Sequence, residues 1–489
     1  MAAAAAPFTF RLVTPAEVKH QNLDPVDAAT RAQAAEIVGS VRAGGEPALR
    51  AVAERLGDLQ AGAPYIVTRA ELGAAFAALP EGQRALLERV GARIRAFAEA
   101  QRATLTDLRL GIAGGSAGHT VAPCATAGCY APGGRYPLPS SVLMTAITAR
   151  VAGVATVWVA SPRPAPITLA AAWVAGADAL LAVGGAQAIA ALAYGVGAVP
   201  ACDVIVGPGN RWVTAAKSLV SGHCAIDMLA GPSECCVLAD GAADAALIAA
   251  DLLAQAEHDT DALPILVTTE AALVGRVEGE VRAQLAALPT RDVAAVAMAK
   301  GFAVVCQGDL DAAIAVVDVL APEHLELQLA DNDAVVPRLK NYGGLFVGAG
   351  TAEVFGDYGA GPNHVLPTSG TARYTGGLSV FTFLVSARAA SARHGGKGAL
   401  HFSSALSHCI LHHTPLYIRS SPNVRSAFEP GCALTFPRAR RRGSRASLTI
   451  LQSWRRWRAC LATSPRRCKD ESCCRSFRLV ARLLERAGR

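Results

Sequence analysis

The spacing of apolar positions changes along the chain. Through residues 27–57, apolar side chains recur every three to four positions, and the run ends at Gly57. This spacing predicts helices, because one face of an α-helix is presented every 3.6 residues. The helical pattern continues to about residue 105. The N-terminal region is therefore predicted to be helical and to need a sheet to cover.

A rhythm of strands and helices begins near residue 155. Short runs that are apolar on both faces predict strands, and they alternate with helical runs of roughly ten residues. Strands buried on both faces, with helices between them, are typical of a parallel α/β sheet. The predicted strands of this first unit are residues 155–161, 179–185 and 203–209.

The same rhythm resumes after residue 233 and predicts a second α/β unit. Because the N-terminal helices need a sheet, we expect the first unit to be inserted between the flanks of the second. The predicted domains are an N-terminal extension (1–24), a discontinuous α/β domain (25–129 and 235–384), an inserted α/β domain (130–234) and a tail (385–489).

The tail differs from the rest of the chain in pattern and in charge. After residue 385 no sustained periodicity remains, so we expect it to be irregular. It holds 21 of the 46 Lys and Arg residues but only 4 of the 39 Asp and Glu residues, giving it a net charge of +17 against −10 for the remainder. Such a tail either binds nucleic acid or an anionic membrane, or has no part in the design of the body. We favour the second interpretation and expect no nucleic-acid partner.

Composition argues against a membrane protein. Apolar residues make up 52% of the chain, but no window offers the ~20 uninterrupted apolar residues that cross a bilayer. The apolar start lacks a basic region, so no secretory signal is predicted. The expected location is the cytoplasm, with an organelle signal left open, and the 13 cysteines are expected to be reduced.

Two adjacent ionisable residues stand before a predicted strand. Glu323 and His324 follow Pro322. They are either a general acid/base pair, since histidine titrates near pH 6.5, or an ordinary polar turn. In parallel sheets the carboxyl ends of strands carry sites, so the position at an amino end favours the turn.

Two further segments carry residues that can bind a metal. Gln255 and His258 are three positions apart on a predicted helix and hence on one face. The alternative is a polar helix end. Asp357 and His364 lie in a long glycine-rich loop, residues 356–377, and loops of such length are usually functional. The alternative there is an Asx turn.

Glycine-rich turns precede three predicted helices. They lie in residues 130–141, 182–195 and 205–212, and none has the G-x-G-x-x-G spacing. Each is either a site where backbone N–H groups bind phosphate at a helix N-terminus or a tight turn.

Taken together, the segments resemble histidinol dehydrogenases over residues 25–384. The resemblance rests on "YAPGGRYPLPSSVLM", "VGGAQAIAALAYG", "VGPGN", "DMLAGPSE", "DLLAQAEHD", "APEHLEL" and "GDYGAGPNHVLPTSG". It implies an α/β fold of two Rossmann-like parallel-sheet domains, one inserted in the other. It also implies oxidation of L-histidinol to L-histidine through an aldehyde, with two NAD and one zinc ion per subunit, in a homodimer.

The resemblance also implies a role for individual residues. Glu323 and His324 match the catalytic pair: His324 takes the alcohol proton, and Glu323 activates water to hydrate the aldehyde. The other implied roles are NAD contacts for Tyr130, Gln187 and Asn210, zinc ligands for Gln255, His258 and Asp357, and substrate contacts for Ser233, Gln255, His258, His324 and Asp357. No ligand role carries over to His364.

The resemblance ends where the tail begins. Histidinol dehydrogenases continue with a helical segment that supplies a Glu and a further zinc-ligating His to the neighbouring subunit, and nothing after residue 385 matches it. His412 and His413 fall near the expected distance, but their surroundings differ. The tail resembles a segment translated from unrelated nucleotide sequence, such as a retained intron or a shifted reading frame. The alternative is therefore a protein that has the same fold but impaired catalysis, with or without a tail that binds anions or nucleic acid.

Overall fold

The computed structural model describes residues 8–19, 26–112, 115–133, 137–357, 359–392 and 417–418. The chain divides into two units, Met1–Arg419 and Ser420–Arg489, and the second lies outside the described residues. All described residues therefore belong to the first unit. Most of the predicted tail, including His412 and His413, lies outside the described residues.

The described strands are short and are numbered in chain order. They are β1 (Arg11–Val13), β2 (Ile66–Thr68), β3 (Leu108–Ile112), β4 (Gly115–Pro123), β5 (Thr126–Tyr130), β6 (Thr156–Ala160), β7 (Ala179–Leu181), β8 (Val204–Val206), β9 (Ala225–Ile226), β10 (Glu234–Ala239), β11 (Leu263–Thr268), β12 (Phe302–Val305), β13 (His324–Gln328), β14 (Gly344–Val347), β15 (Leu384–Ala392) and β16 (Tyr417–Ile418).

The described α-helices connect these strands. They are α1 (Ala28–Arg55), α2 (Arg69–Ala78), α3 (Glu81–Ala103), α4 (Pro139–Ala152), α5 (Pro166–Ala175), α6 (Gly185–Tyr194), α7 (Arg211–Val220), α8 (Ala245–Ala256), α9 (Ala271–Ala287), α10 (Arg291–Met298), α11 (Leu310–Leu320) and α12 (Val354–Asp357).

Two six-stranded sheets organise the unit and confirm the predicted α/β fold. Sheet A has the order β1-β12-β11-β10-β13-β14 and is parallel throughout. Sheet B has the order β2-β7-β6-β5-β8-β9 and is parallel except for β2. The strands β10, β7 and β8 are buried at every position, which explains why their sequences are apolar on both faces.

Both sheets follow one topology. In each, the first strand of the α/β unit lies near the centre, the next two extend to one side, and a strand from earlier in the chain closes that side. The chain then crosses to the other side of the central strand. The order therefore reverses between β5 and β8 in sheet B and between β10 and β13 in sheet A. Such reversals open a crevice at the strand ends.

The N-terminal helices pack against sheet B, not against sheet A. Helix α1 packs on α6 and α7, α2 on α5, and α3 on α4. Leu49 of α1 shares a buried cluster with Ile189 of α6, and Ile94 of α3 shares another with Leu143 of α4. The expectation that residues 25–129 join residues 235–384 in one domain is therefore wrong for these helices. Apolar periodicity shows that a helix has a buried face but not which sheet that face covers.

Sheet A instead contains a strand from the predicted N-terminal extension. Strand β1 pairs in parallel with β12, and Phe10 donates its N–H to Glu278 at 2.9 Å. The insertion itself is present, because residues of sheet B lie between β1 and β10 in the chain. Sheet A therefore begins with β1 and not with the helices that follow it in the chain.

A third sheet extends beyond the predicted end of the body. Sheet C has the order β16-β15-β4-β3, and β15 pairs antiparallel with β4 from Leu384 to Ala392. The predicted tail therefore begins with a strand. Its sequence shows no apolar alternation because backbone hydrogen bonds, rather than a buried face, hold it to β4. Among the described residues, no helix is both long and apolar enough to cross a bilayer.

Candidate active site

Most candidates for catalysis lie at the amino edge of sheet A. His324 opens β13, Glu323 precedes it, and the neighbouring strand β10 begins at Glu234, just after Ser233. Helix α8 follows β10 and must run back across the sheet, so its C-terminal turn, with Gln255, returns to this same edge. A site at an amino edge is thus built from strand starts and a returning helix end.

The imidazole of His324 is buried, and both hydrogen-bond partners of its Nδ1 are oxygens. Nδ1 lies 3.0 Å from the carbonyl oxygen of Glu234 and 3.0 Å from Oε1 of Gln255. A backbone carbonyl only accepts hydrogen bonds, so Nδ1 carries the hydrogen. Nε2 is then the basic nitrogen of the neutral ring.

Glu234 links the two members of the predicted catalytic pair through its backbone. Its carbonyl oxygen accepts from His324, and its N–H donates to Oε2 of Glu323 at 3.0 Å. The Glu323 and Glu353 carboxylates lie 3.9 Å and 3.6 Å from Nδ1 of His324. Two acidic side chains therefore lie near the same nitrogen of the His324 ring.

Burial raises the pKa of the carboxyl groups at this edge. It raises the pKa of Glu323 well above its ordinary value, with the neighbouring Glu234 and Glu353 adding to the increase against hydrogen bonds from Glu234 and Ser233. Burial likewise raises the pKa of Glu234 to about 7, although hydrogen bonds from Ser369 and Glu323 oppose it. A carboxyl group with a pKa of about 7, such as that of Glu234, can exchange protons near neutral pH.

The glycine-rich loop packs onto the same edge. Ser369 donates its N–H to Oε1 of Glu234 at 3.0 Å, and Gly231 donates its N–H to Oγ1 of Thr368 at 2.6 Å. Ser369 has a φ of 56°, in the left-handed region that a serine rarely adopts. The loop is therefore held against the catalytic edge by specific polar contacts at some conformational cost.

The predicted zinc ligands are only partly brought together. Gln255 is fully buried beside His324, and its Nε2 has no hydrogen-bond partner. His258 is exposed near the end of α8, one turn further on. Asp357 ends α12, one turn after Glu353, and its side chain lies outside the description. Within the described residues, no three His, Cys, Asp or Glu side chains form a group that could hold a metal ion.

The predicted NAD contacts meet at the carboxyl edge of sheet B. Tyr130 ends β5, Gln187 lies in the first turn of α6, and Asn210 is the N-cap of α7, where its Oδ1 accepts from Trp212 and Val213. The Tyr130 hydroxyl accepts from the N–H of Gly185 at 3.1 Å. These residues surround the reversal of strand order between β5 and β8, where open α/β sheets bind ligands.

Asp58 was missed by sequence reasoning and belongs to this edge. Its Oδ2 accepts from Nε2 of Gln187 at 3.0 Å and from the N–H of Gly184 at 2.9 Å. Oε1 of Gln187 is buried without a partner. Asp58 follows the first long helix, and no local pattern connects it with a turn more than a hundred residues later.

An acidic pair formed by the buried Glu326 and the half-buried Asp251 was also missed, although the sequence carried a signal for it. His324, Glu326 and Gln328 alternate along β13 and therefore share one face. Gln328 donates to Oε2 of Glu326 at 3.3 Å and to Oδ2 of Asp251 on α8 at 3.5 Å. Burial, together with the Asp251 carboxylate, raises the pKa of Glu326 to about 9. The pair thus holds a proton at neutral pH.

Comparison with known proteins gives a consistent result. The family model for histidinol dehydrogenase matches residues 21–401. A histidinol dehydrogenase of Thermus thermophilus is 52% identical over 311 residues, which are 63% of this chain and 75% of the relative. One of Cereibacter sphaeroides is 45% identical over 375 residues, 75% of this chain and 85% of the relative.

A solved structure agrees with these sequence relatives. The crystal structure of histidinol dehydrogenase from Elizabethkingia anophelis superposes with a TM-score of 0.72 at 29% identity, covering 78% of this chain and 89% of that one. The likeness thus extends across most of both chains in sequence and in fold.

Proposed function

The chain belongs to the histidinol dehydrogenase family, and we propose that it oxidises L-histidinol to L-histidine through histidinaldehyde with two molecules of NAD+. The family match over residues 21–401 carries this conclusion. The alternative, impaired catalysis with a binding role for the basic tail, is not favoured, because each of the relatives above is a histidinol dehydrogenase.

In the proposed first step, His324 removes the hydroxyl proton of histidinol. Its Nε2 is the basic nitrogen, and the Glu234 carbonyl and Gln255 keep the ring in one orientation from the Nδ1 side. A base that is already oriented lowers the barrier to proton transfer. NAD, when bound, supplies the acceptor for the hydride that leaves the carbon bearing this hydroxyl.

In the proposed second step, Glu323 takes a proton from the water that adds to the aldehyde. Glu323 accepts this proton as its carboxylate, the form that the N–H of Glu234 favours by donating to Oε2 at 3.0 Å. His324 then serves again as the base that removes a proton from the hydrate. Because the Glu234 backbone forms hydrogen bonds with both side chains, the two side chains keep their relative positions through both oxidations.

We propose that NAD binds at the carboxyl edge of sheet B. Tyr130, Gln187 and Asn210 would contact it, which makes the inserted α/β unit the NAD-binding domain. The crevice between β5 and β8 and the helix N-terminus capped by Asn210 support this placement, because such crevices and N-termini favour anionic ligands.

We propose zinc as the metal, with Gln255, His258 and Asp357 as ligands. An imidazole and a carboxylate are groups that bind zinc, and the side chain of Gln255 is fully buried at the same edge of sheet A. Zinc bound there would grip the imidazole and amine of histidinol. Ser233, Gln255, His258, His324 and Asp357 would then surround the substrate.

We also propose a homodimer located in the cytoplasm. Sheet C supports a partner subunit, because β3 exposes Leu108, Leu110 and Ile112 along one strand, and an apolar row of this kind often marks an interface. The proposed location follows from the role in histidine biosynthesis. Light scattering of the purified protein measures the mass; a monomer at micromolar concentration would refute the dimer.

One assay tests the proposed function. The purified full-length chain is mixed with L-histidinol and NAD+, and NADH is followed by absorbance while histidine is quantified. We expect two NADH per histidine formed. If a folded, zinc-loaded preparation forms no NADH from histidinol and NAD+, the assignment is refuted.

Zinc dependence is tested in the same assay. We expect a chelator to abolish activity and stoichiometric Zn²⁺ to restore it, because the ligands orient the substrate. Activity that persists after complete removal of metal, verified by elemental analysis, would contradict the zinc proposal alone.

A further inference from the structure

The turn after β8 packs tightly against the end of β5. Gly207 has a φ of 115°, and a Cβ atom built there would lie 1.9 Å from the carbonyl oxygen of Tyr130. Only glycine permits this approach. The turn continues through residues 208–209 to Asn210, so the backbone of Gly207 sets where both candidate NAD contacts stand relative to each other.

A buried ion pair holds the peptide groups on both sides of Gly207. Asp227 accepts the Gly207 N–H at 2.7 Å, and Lys217 donates to the Gly207 carbonyl oxygen at 3.0 Å. Lys217 and Asp227 also form a direct salt bridge, and their side chains are only 3% and 1% exposed. The three groups form a closed triangle of polar contacts beneath the turn.

The pair comes from two different elements. Lys217 lies on α7, two turns after Asn210, and Asp227 directly follows β9 and also accepts the N–H of Met228. The pair therefore connects the helix that Asn210 caps, the turn before it and the strand beyond it. A displacement of either charge would shift the turn relative to Tyr130.

Stability alone gives a weak reason for such a pair. Burying two charges carries a desolvation cost that can exceed their attraction, and apolar residues of similar volume often serve the fold as well. What an apolar pair cannot do is hold both the N–H and the carbonyl of one residue. At Gly207 the ion pair holds both groups, so the position of the turn depends on these two charged side chains.

We propose that Lys217 and Asp227 are positioning residues for NAD: by fixing the backbone of Gly207, they hold the 207–210 turn in register with Tyr130. The inference rests on the proposed NAD site. Among the described residues, the side chains of Lys217 and Asp227 make their polar contacts with each other, Gly207 and Met228. The segment that leads to Ser233 has further anchors: Thr214 donates to the carbonyl oxygen of Ala230 at 3.1 Å, and Gly231 donates to Thr368. The histidinol site is thus held by other contacts.

The test compares the wild type with two variants of the full-length protein. Lys217→Met leaves Asp227 buried without its counter-charge, whereas Lys217→Met/Asp227→Leu removes both charges. NAD+ affinity is measured by calorimetry, the Michaelis constants for NAD+ and histidinol by steady-state kinetics, and the free energy of unfolding by urea titration.

The double variant separates positioning from folding. We expect it to recover most of the stability that the single variant loses, because no unpaired charge remains. We nevertheless expect its NAD+ affinity to stay about tenfold or more below wild type, since two hydrogen bonds to the turn are gone. Its Michaelis constant for histidinol should stay within about twofold of wild type, a difference under ~0.5 kcal/mol.

A second ion pair of the same sheet provides the control. Arg150 and Asp178 are 2.7 Å apart and partly exposed, and Asp178 accepts the N–H of Val157 at the amino edge of sheet B. The variant Arg150→Met/Asp178→Leu should lower the free energy of unfolding without a change in NAD+ affinity. A weakened affinity in this control would show a general effect of destabilisation and overturn the inference.

Two other outcomes overturn the inference, in distinguishable ways. If the Lys217→Met/Asp227→Leu variant binds NAD+ as the wild type does, the positioning role fails while the proposed function stands. If the wild type itself binds no NAD+, the proposed function fails and the inference with it. Should the apolar double variant not fold, Lys217→Met/Asp227→Asn carries the same test, because Asn still accepts from Gly207 but leaves its carbonyl without the lysine.

Discussion

The hydrogen on Nδ1 of His324 determines which nitrogen of the ring can act. It points to a backbone oxygen of the neighbouring strand, so side-chain rearrangements cannot easily reverse the tautomer. The sequence predicted Glu323 and His324 as the catalytic pair through the segment that resembles the family. It could not reveal the tautomer, because the carbonyl of Glu234 meets this ring only once β10 and β13 pair.

Replacing His324 by asparagine tests the role of Nε2. The amide nitrogen of the new side chain lies near the former Nδ1 and can still donate to the Glu234 carbonyl, while the basic nitrogen is lost. We expect kcat to fall about 10²–10⁴-fold, the usual contribution of a general base, with an unchanged circular dichroism spectrum. His223→Asn, at an exposed histidine near sheet B, should leave kcat within about twofold. A similar kcat for His324→Asn and wild type would rule out the proposed base.

Replacing Glu323 by glutamine tests the division of labour between the two steps. The first oxidation needs only His324 as base, so the first NADH should form nearly as fast as in wild type. We expect the second NADH to form at least about tenfold more slowly, because the water lacks its base. Rapid mixing under single-turnover conditions resolves the two phases. Equal slowing of both phases would contradict the assignment of hydration to Glu323.

At the scale of elements, a strand face and a helix face carry matching polar residues. Glu326 and Gln328 extend inward from His324 along β13, and Asp251 precedes Gln255 by one turn on α8. The two patterns are visible separately in the sequence, as alternation on the strand and as spacing on the helix. Their meeting was not predictable, because the angle at which α8 crosses β13 depends on packing across the whole sheet.

The acidic pair makes stability depend on pH. The pKa of Glu326 rises from an ordinary 4.5 to about 9 in the folded protein, so the folded state retains a proton that the unfolded chain releases. Its stabilising contribution is complete below about pH 4.5 and is lost as the pH rises through about 9. We expect the free energy of unfolding, measured by urea titration, to fall less steeply over this range in Glu326→Gln than in wild type. Parallel curves for the two proteins would show that Glu326 does not hold the proton.

At the scale of the whole molecule, the sequence predicted two parallel sheets and an insertion but misassigned the N-terminal helices. Strands and helices follow from local periodicity, and the order of motifs reveals the family. The partner of an amphipathic helix depends on contacts between distant segments. Helices α1–α3 could satisfy their apolar faces on either sheet, and only the packing of α1 on α6 and α7 distinguishes the two arrangements.

A core substitution in α1 tests this corrected assignment. Leu49 is completely buried in the cluster shared with α6 and α7. We expect Leu49→Ala to lower the free energy of unfolding by about 2–5 kcal/mol, whereas Leu56→Ala, at a residue 53% exposed, should change it by less than about 0.5 kcal/mol. Equal effects of the two substitutions would place α1 outside the core.

The pairing of β1 with β12 constrains the order in which the strands of sheet A can assemble during synthesis. Strand β1 leaves the ribosome early, yet its partner, which begins at Phe302, is translated only after all of sheet B. The inserted unit can fold while the outer one waits, since domains generally fold as units during synthesis. Closing so long a loop is slow. The N-terminal strand therefore docks only after β12 has been made, and because it is an edge strand with one neighbour, its amides should exchange with heavy water faster than those of the central strands β10 and β11.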